Sequence, residues 1–182
     1  MREGGAIDPT GFFAIHADEA RDHLIILRRE NTQWIPHRTI PQRPGSGPIQ
    51  MLFHPSLPVV YACNAGNSTI TAHHWDGAAG HLAFAQSLRL LPLKFTGANR
   101  TIGMVIAPSG RYLYAVNRGH DSIATAAIQR GKGKIFLRAR EMLTEPPQAG
   151  PVLDATGTIM QLGPTLCYAV QPANGTIARL CP

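Results

Sequence analysis

Hydrophobic and polar residues follow the same order in successive stretches of this chain. Each stretch begins with a short apolar segment and passes through a turn that contains proline or glycine. A run rich in alternating or β-favouring residues comes next, as in FFAIH, VVYACN and YLYAVN. A polar loop and two further strand-like segments complete the stretch, as in STITAHHW and HLAFAQSLRL. Each stretch therefore predicts four antiparallel β-strands.

The turn residues of these stretches recur at distances of 46, 53 and 47 residues, at Pro9, Pro55, Pro108 and Ala155. Four strands in each repeat of this length are typical of a β-propeller blade. The predicted fold class is all-β, a partial β-propeller of four-stranded antiparallel blades, with about three to four blades present. We predict one partial-propeller domain over residues 1–182. Its blade-like repeats span about 4–48, 49–101 and 102–149, with an incomplete one at 150–182.

The number of repeats has a physical consequence. Propellers usually close into a ring of four to eight blades. Three to four blades of this length are expected to form an arc, whose edges present unpaired backbone donors and acceptors. Three explanations stay open: the chain is part of a larger propeller, pairs with another copy, or is a degenerate product. For the isolated chain, the open blade edges predict self-association.

Antiparallel pairing predicts which residues share one end of each blade, because the start of the first strand lies at the same end as the finish of the second. Residues five or six positions before each turn residue should lie beside the residue ten positions after it. In a propeller these ends converge on one mouth of the central channel. The positions are Glu3, Gly4 and Glu19 in the first repeat, Ile49, Gln50 and Ala65 in the second, and Ile102, Gly103 and Arg118 in the third. The segment 117–121, NRGHD, is thus predicted to face the mouth.

Charge and cysteine content argue against several classes of function. The formal net charge is +6, but the basic residues are scattered, and the chain has no RNA-binding signature, so we predict no nucleic-acid partner. Three cysteines without metal-ligand spacing predict no metal site, and no cofactor motif is present. We find no signal peptide and no apolar run long enough to span a bilayer. The chain is therefore predicted to be cytoplasmic, with no membrane partner.

Five segments of the chain carry a resemblance to a known family. They are FHP at 53–55, YACN at 61–64, FTGANR at 95–100, APSGRYLYAVNRGHDSIA at 107–124 and NGTIARL at 174–180. In order and spacing they resemble the lactonase family of seven-bladed propellers, which includes 6-phosphogluconolactonase-like and carboxymuconate-cyclising enzymes. The resemblance covers about half of a family member. It implies a cofactor-free hydrolase of a sugar lactone such as 6-phosphogluconolactone, with a small anionic lactone or carboxylate as ligand.

The resemblance also implies which positions carry catalysis. The arginine of the family's Asn-Arg pair corresponds to Arg118. A histidine, an arginine and a glutamate of the family correspond here to Glu3, Ile49 and Ala65. Lactone hydrolysis needs a titrating acid or base and a cation that stabilises developing negative charge. Isoleucine and alanine supply neither, so the resemblance implies impaired activity in this chain.

Three residues are candidate catalytic groups. Arg118 can bind a carboxylate or phosphate through its bidentate fork, and Glu3 is a substitute base. His120 lies beside Arg118 in the NRGHD segment and is a candidate acid or base, although a solvated hairpin loop explains the same residues. Two hypotheses therefore stay open. One is a lactonase-type enzyme of reduced activity, and the other is a non-catalytic propeller fragment that serves as an anion-binding or protein-interaction module.

Overall fold

The computed structural model describes residues 5–163, 166–171 and 173–179, which form sixteen β-strands and no helix. The strands make four antiparallel sheets of four strands, each built from consecutive strands of the chain. None of the described residues forms a helix that could cross a membrane. The predicted all-β class, with four-stranded antiparallel sheets, is confirmed.

The strands run in chain order from the inner to the outer edge of each sheet. The first sheet contains β1 (Ala6–Ile7), β2 (Phe13–Asp18), β3 (His23–Glu30) and β4 (Gln33–Pro41). The second contains β5 (Pro48–Phe53), β6 (Val59–Asn64), β7 (Thr69–Asp76) and β8 (His81–Arg89). The third contains β9 (Arg100–Ile106), β10 (Tyr112–Arg118), β11 (Ser122–Ile128) and β12 (Ile135–Met142). The fourth contains β13 (Val152–Leu153), β14 (Ile159–Gln161), β15 (Cys167–Val170) and β16 (Ile177–Arg179).

Apolar clusters between neighbouring sheets form the core. Ile15 of the first sheet packs in one cluster with Val60 of the second. Tyr61 of the second sheet belongs to a cluster with Leu113 of the third, and Tyr114 of the third to one with Met160 of the fourth. Successive residues of β6 and β10 therefore point into different clusters. Strands covered on both faces read as nearly continuous apolar runs, which explains why VVYACN and YLYAVN contain so few polar residues.

Polar contacts at the strand ends join each sheet to the loop that enters the next. Asp22 has φ 55° and accepts hydrogen bonds from the backbone N–H groups of Gly45 (2.8 Å) and Gly47 (2.6 Å). These donors hold the pKa of the Asp22 carboxyl below its usual value. Ser68, at the equivalent turn of the second sheet, has φ 53° and accepts a hydrogen bond from Asn99 Nδ2 at 2.8 Å. The same left-handed turn position thus links successive sheets.

The strand register corrects the expected neighbours of two residues. Ala65 lies beside Gly47, to whose carbonyl oxygen its N–H donates at 2.7 Å, and not beside Ile49 or Gln50. Arg118 pairs with Arg100, and not with Ile102 or Gly103. One reason is that the turn between β9 and β10 is centred between Ser109 and Gly110, since Leu113 pairs with Ile106, and this register by itself would set Arg118 opposite Thr101. The other is a β-bulge beside Val116 and Asn117 that inserts an unpaired residue into β9. A similar irregularity in β5 lies between the residues paired with Asn64 and Cys63.

The first prediction concerns association. Leu24 and Ile26 pack against the second sheet, so Ile25 and Leu27, both half-buried, lie on the opposite face of the first sheet. Repeat proteins need polar outer faces on their terminal repeats to stay soluble as monomers. We expect the purified chain to self-associate, and Ile25→Lys with Leu27→Lys to shift it toward monomer in light scattering. Phe136→Lys, at an exposed site on β12, is the control. A parent chain that is monomeric at micromolar concentration would contradict this prediction.

The second prediction concerns pH. His73 is 1% exposed, and burial lowers its pKa from 6.5 to about 4. Between these values the unfolded chain binds a proton at this residue and the folded chain does not. The free energy of unfolding should therefore fall by roughly 3 kcal/mol on this account as the pH drops from about 7 to about 4. Urea unfolding across this range measures the slope. His73→Ala should flatten it, whereas substitution of the exposed neighbour, His74→Ala, should leave it unchanged.

Candidate functional site

One end of the sheets gathers polar residues from three elements that are distant in sequence. This mouth cluster consists of Glu19 in the turn after β2, Asn99 and Arg100 at the start of β9, Arg118 at the end of β10, and His120 in the turn after β10. It lies where the second strands of the sheets end, as the sequence predicts for Glu19 and Arg118. The first strands of the first three sheets contact one another, β1 with β5 and β5 with β9, as the inner strands of propeller blades do.

Glu19 and Arg100 form a bidentate ion pair across the second sheet. Arg100 Nη1 donates to Glu19 Oε1 at 2.6 Å and Nη2 donates to Oε2 at 3.0 Å. Both side chains are about half exposed, and exposed pairs contribute only about 0 to 1 kcal/mol to stability. Glycines lie beneath this contact, since a Cβ on Gly47 would come within 3.1 Å of the Gly66 nitrogen and 3.6 Å of Glu19 Cγ. Their small size leaves room for Glu19 to reach the third sheet.

Arg118 lies opposite Arg100 in the β9–β10 pair. Its Nε donates to the carbonyl oxygen of Pro147 at 2.9 Å, and its Nη2 donates to that of Gln148 at 2.7 Å. Both acceptors belong to the segment that connects the third sheet to the fourth. Like charges on directly opposed strand positions repel each other. Here Glu19 offsets the positive charge of Arg100, and the two carbonyl oxygens offset that of Arg118.

His120 is held by neighbouring polar groups. Its Nδ1 lies 2.8 Å from Ser122 Oγ, its backbone N–H donates to Asn99 Oδ1 at 3.0 Å, and its ring stands edge-on to Phe95 at 4.7 Å. Asp121, the acid that follows it, instead accepts a hydrogen bond from the Gly119 N–H at 3.0 Å and has φ 48°. Among the described contacts, Asp121 makes none with the His120 ring. The histidine is thus near Arg118 without a carboxylate partner.

A buried asparagine anchors this end of the third sheet. Asn117 is fully buried, and its Oδ1 accepts hydrogen bonds from Thr101 Oγ1 at 2.9 Å and from Asn99 Nδ2 at 3.4 Å. Its Nδ2 donates to Ser122 Oγ at 3.4 Å. The network connects β9, β10 and β11 directly below the two arginines. It therefore fixes the strand ends from which Arg100 and Arg118 project.

The substituted positions of the family motif contribute no acid or base. Ile49 lines a channel-side cleft of about 280 Å³, together with Gln50 and Gly103. Gln50 Oε1 accepts a hydrogen bond from the Met104 N–H at 2.8 Å, which satisfies a backbone donor of the innermost strand β9. Ala65 is fully buried. Glu3, the proposed substitute base, lies outside the described residues.

The described residues also bear on metal and thiol chemistry. They contain no group of three or more histidine, cysteine or acidic side chains placed to hold a metal ion. Cys63 is fully buried in the cluster between the second and third sheets. Burial raises the pKa of its thiol to about 12, so it is protonated at neutral pH and is not a nucleophile.

The Glu19–Arg100 pair is the feature that sequence reasoning missed. The strand pattern places Glu19 at the mouth, whereas Arg100 reads as a loop charge before a strand. The two residues are 81 positions apart, and nothing in the local pattern connects them. The available signal is the repeat itself, since both residues lie at the same end of their repeats.

Solved structures with the same arrangement of sheets include two bacterial proteins. The periplasmic gluconolactonase PpgL of Pseudomonas aeruginosa matches with a TM-score of 0.86 and 20% identity, over 97% of this chain and 52% of its own. A protein from Lactobacillus plantarum matches with a TM-score of 0.89 and 18% identity, over 97% of this chain and 53% of its own. At this level of identity the likeness establishes the propeller fold.

Sequence comparison supplies the family. The 6-phosphogluconolactonase of Yersinia pseudotuberculosis (serotype O:3, strain YPIII) is 29% identical over 158 residues, which cover 85% of this chain and 47% of that protein. The chain thus spans about half the length of the curated relatives that it matches. Residues 5–148 match the family model described as lactonase, 7-bladed beta-propeller. Since this match covers more than half of the chain, the protein belongs to the lactonase family of seven-bladed β-propellers.

Proposed function

We propose that this chain carries part of a lactonase-type site, which binds an anionic sugar lactone such as 6-phosphogluconolactone and hydrolyses it slowly. The observation that carries the proposal is the pair of opposed arginines, Arg100 and Arg118, with Glu19 beside them at the channel mouth. Relatives named 6-phosphogluconolactonase support the substrate class. The cytoplasmic location expected from the sequence stays a prediction.

The arginines keep binding capacity for an anion. A guanidinium has five N–H donors. Arg118 uses one N–H of Nε and one of Nη2 for the described carbonyl oxygens, and Arg100 uses one N–H each of Nη1 and Nη2 for Glu19. Three N–H groups of each side chain make no hydrogen bond to the residues that the structure describes, and we propose that they bind a phosphate or carboxylate. Two positive charges against one negative charge also leave the mouth cluster attractive to anions.

Hydrolysis needs a proton acceptor and a cation near the ester carbonyl. A water oxygen attacks the carbonyl carbon, the bond from that carbon to the ring oxygen breaks, and the ring oxygen leaves as an alcohol after it takes up a proton. In our proposal Glu19 accepts the proton from the attacking water and returns it to the ring oxygen as the bond to the carbonyl carbon breaks. Arg118 stabilises the negative charge that develops on the carbonyl oxygen. The product is the open-chain sugar acid.

The same contacts argue for a slow reaction. Both oxygens of Glu19 already accept hydrogen bonds from Arg100, so the carboxylate must give up or share a contact to take a proton. Ile49 and Ala65 supply no further base or charge. His120, whose Nδ1 is engaged with Ser122 Oγ, is available only through its other ring nitrogen.

A second candidate function is a non-catalytic anion-binding or protein-interaction module. The observation that favours it is the use of Arg118 as a connection between the third sheet and the segment at Pro147 and Gln148. In this case the mouth binds an anion without turnover. The two candidates differ in one measurable property, which is the release of acid from a lactone.

The third prediction tests anion binding. A charge-assisted contact contributes about 1.5 to 3 kcal/mol. Arg118→Ala and Arg100→Ala should therefore each weaken the binding of 6-phosphogluconate by roughly tenfold or more in isothermal calorimetry. Arg138→Ala, which removes an exposed arginine from the outermost strand β12, should leave the affinity unchanged. Equal affinities for all three variants would place the ligand elsewhere.

The fourth prediction tests turnover. The parent chain should hydrolyse 6-phosphogluconolactone slowly but measurably faster than buffer, and Glu19→Gln should remove the excess. Because Glu19 is half exposed, thermal unfolding of this variant should differ little from the parent. Glu30→Gln removes a carboxylate from another exposed ion pair, that with Arg28, and is the matched control. A parent chain that binds 6-phosphogluconate but shows no hydrolysis above buffer would support the binding module instead.

A further inference from the structure

A second cleft lies between the first and second sheets, outside the mouth cluster. Its volume is about 330 Å³, near the small end of the range for ligand-binding clefts. One wall is formed by residues 40–43, at the end of β4 and in the loop that follows. The other wall comes from the second sheet, namely from the end of β6, the turn after it, β7 and β8. No residue of the mouth cluster lines this cleft, so its role is separate from the proposed hydrolysis.

Buried polar side chains form the second wall. Asn64 is fully buried, and His73 is 1% exposed. His73 Nε2 lies 3.0 Å from Thr71 Oγ1. Asn64 Oδ1 and His73 Nδ1 have no hydrogen-bond partner among the residues that the structure describes. The hydroxyl oxygens of Tyr114, Thr125 and Tyr168 are also buried and unpaired among the described residues, but none of these three residues lines the cleft. Buried polar atoms are nearly always paired, so two such atoms in residues that line one cleft point to a group that binds there. Both atoms are shielded from solvent in this structure, so a bound group reaches them when the side chains of the lining shift.

The fold itself does not require polar residues at these positions. In the second sheet Thr71 pairs with Ala62 and His73 pairs with Val60. The equivalent pairs of the third sheet place Ala124 opposite Ala115 and Ala126 opposite Leu113. Both of these alanines are fully buried in an apolar cluster. The same architecture thus packs well without the threonine and the histidine.

The hydrogen bonds around Asn64 show that its side-chain oxygen lacks a donor. The Thr69 hydroxyl donates its single proton to Asn67 Oδ1 at 2.7 Å, so its oxygen can only accept a bond from Asn64, at 3.1 Å. This contact assigns the Asn64 amide nitrogen to the threonine side. The oxygen Oδ1 therefore needs a donor. A fully ionised phosphate or carboxylate group has no proton to donate to it.

His73 further restricts which chemical group can bind in the cleft. Burial lowers its pKa to about 4, so at neutral pH the ring is uncharged and carries one N–H. Depending on which nitrogen holds that proton, Nδ1 either donates or accepts. A hydroxyl group can complement either form, and it can also donate to Asn64 Oδ1. Hydroxyl groups are therefore the chemistry that fits both atoms.

Apolar side chains line part of the cleft. Ile40 and Pro41 line it on the first sheet, and Phe84 lines it on the second. Phe84 is 64% exposed, and its ring stands edge-on to His73 at 5.8 Å. Aromatic and aliphatic surfaces accommodate the C–H face of a sugar ring, while its hydroxyls point toward polar groups. Small-molecule sites commonly combine a mostly apolar lining with a few placed polar atoms.

We propose that this cleft binds a small polyhydroxylated ligand of monosaccharide size, with hydroxyl groups on Asn64 Oδ1 and His73 Nδ1 and a C–H face against Phe84. Arg43 lies at the same cleft and is exposed, so a sugar acid is accommodated as well as a neutral sugar. The site would hold a sugar at a distance from the mouth cluster.

The test uses D-glucose, D-galactose and D-gluconate as probes of the full chain. Nitrogen-15 spectra of the histidine rings report contact at His73 directly, because a hydroxyl on Nδ1 shifts its resonance. We expect a saturable shift at His73 with at least one of the three probes. The double variant Thr71→Ala, His73→Ala places alanine at both positions, as in the third sheet. We expect this variant to bind the sugar at least tenfold more weakly than the parent. Phe84→Ala, at an exposed site, should weaken binding several-fold.

Two controls separate this site from the mouth. His74→Ala removes the exposed histidine next in sequence and should leave sugar binding unchanged. The Thr71→Ala and His73→Ala double variant should bind 6-phosphogluconate as the parent does, whether or not the parent hydrolyses a lactone. Absence of a saturable shift with all three probes would overturn the proposal. So would equal sugar affinity of the parent and the double variant.

Discussion

The burial of both faces of the second strand is the constraint on which the rest of this structure depends. Every residue of β6 is buried, and successive residues point into the clusters shared with the first and third sheets. A sheet whose central strand is apolar on both sides must have a neighbouring sheet on each side. This requirement stacks the four sheets face to face and directs the polar residues of each repeat toward the strand ends.

The polar side chains at the strand ends then have two roles. They satisfy the backbone of the loops that join the sheets, as Asp22 does for Gly45 and Gly47. They also present charge at the mouth, where Arg118 contacts the segment that leads to the fourth sheet and keeps N–H groups that bond to none of the described residues. A side chain that both connects sheets and faces ligand is held in one orientation before the ligand arrives. Such preorganisation favours anion binding even where a catalytic base is poorly placed.

Positions where one repeat differs from the next indicate functional sites better than the positions that the repeats share. Buried residues equivalent between β7 and β11 differ in polarity at three positions, where Thr71 and His73 stand against Ala124 and Ala126, and Ala72 against Thr125. Natural sequences break local packing rules mainly at functional or strained sites. The same reasoning applies at the mouth, where Arg100 and Arg118 oppose each other although like charges weaken a strand pair.

The sequence by itself determined the all-β class, the four-strand repeat and the end of the sheets where Glu19 and Arg118 lie, because these follow from short-range alternation and turn spacing. It predicted the wrong neighbours for Arg118, since a β-bulge shifts register without a reliable signal in the residues. Tertiary structure alone decided that Glu19 binds Arg100, that Arg118 binds the carbonyl oxygens of residues 147 and 148, and that Asn64 and His73 share a cleft. The first two contacts join different sheets or a sheet to a later loop, and the cleft beside Asn64 and His73 exists because residues 40–43 lie against the second sheet. The geometry of stacked sheets is set by packing that no local pattern encodes.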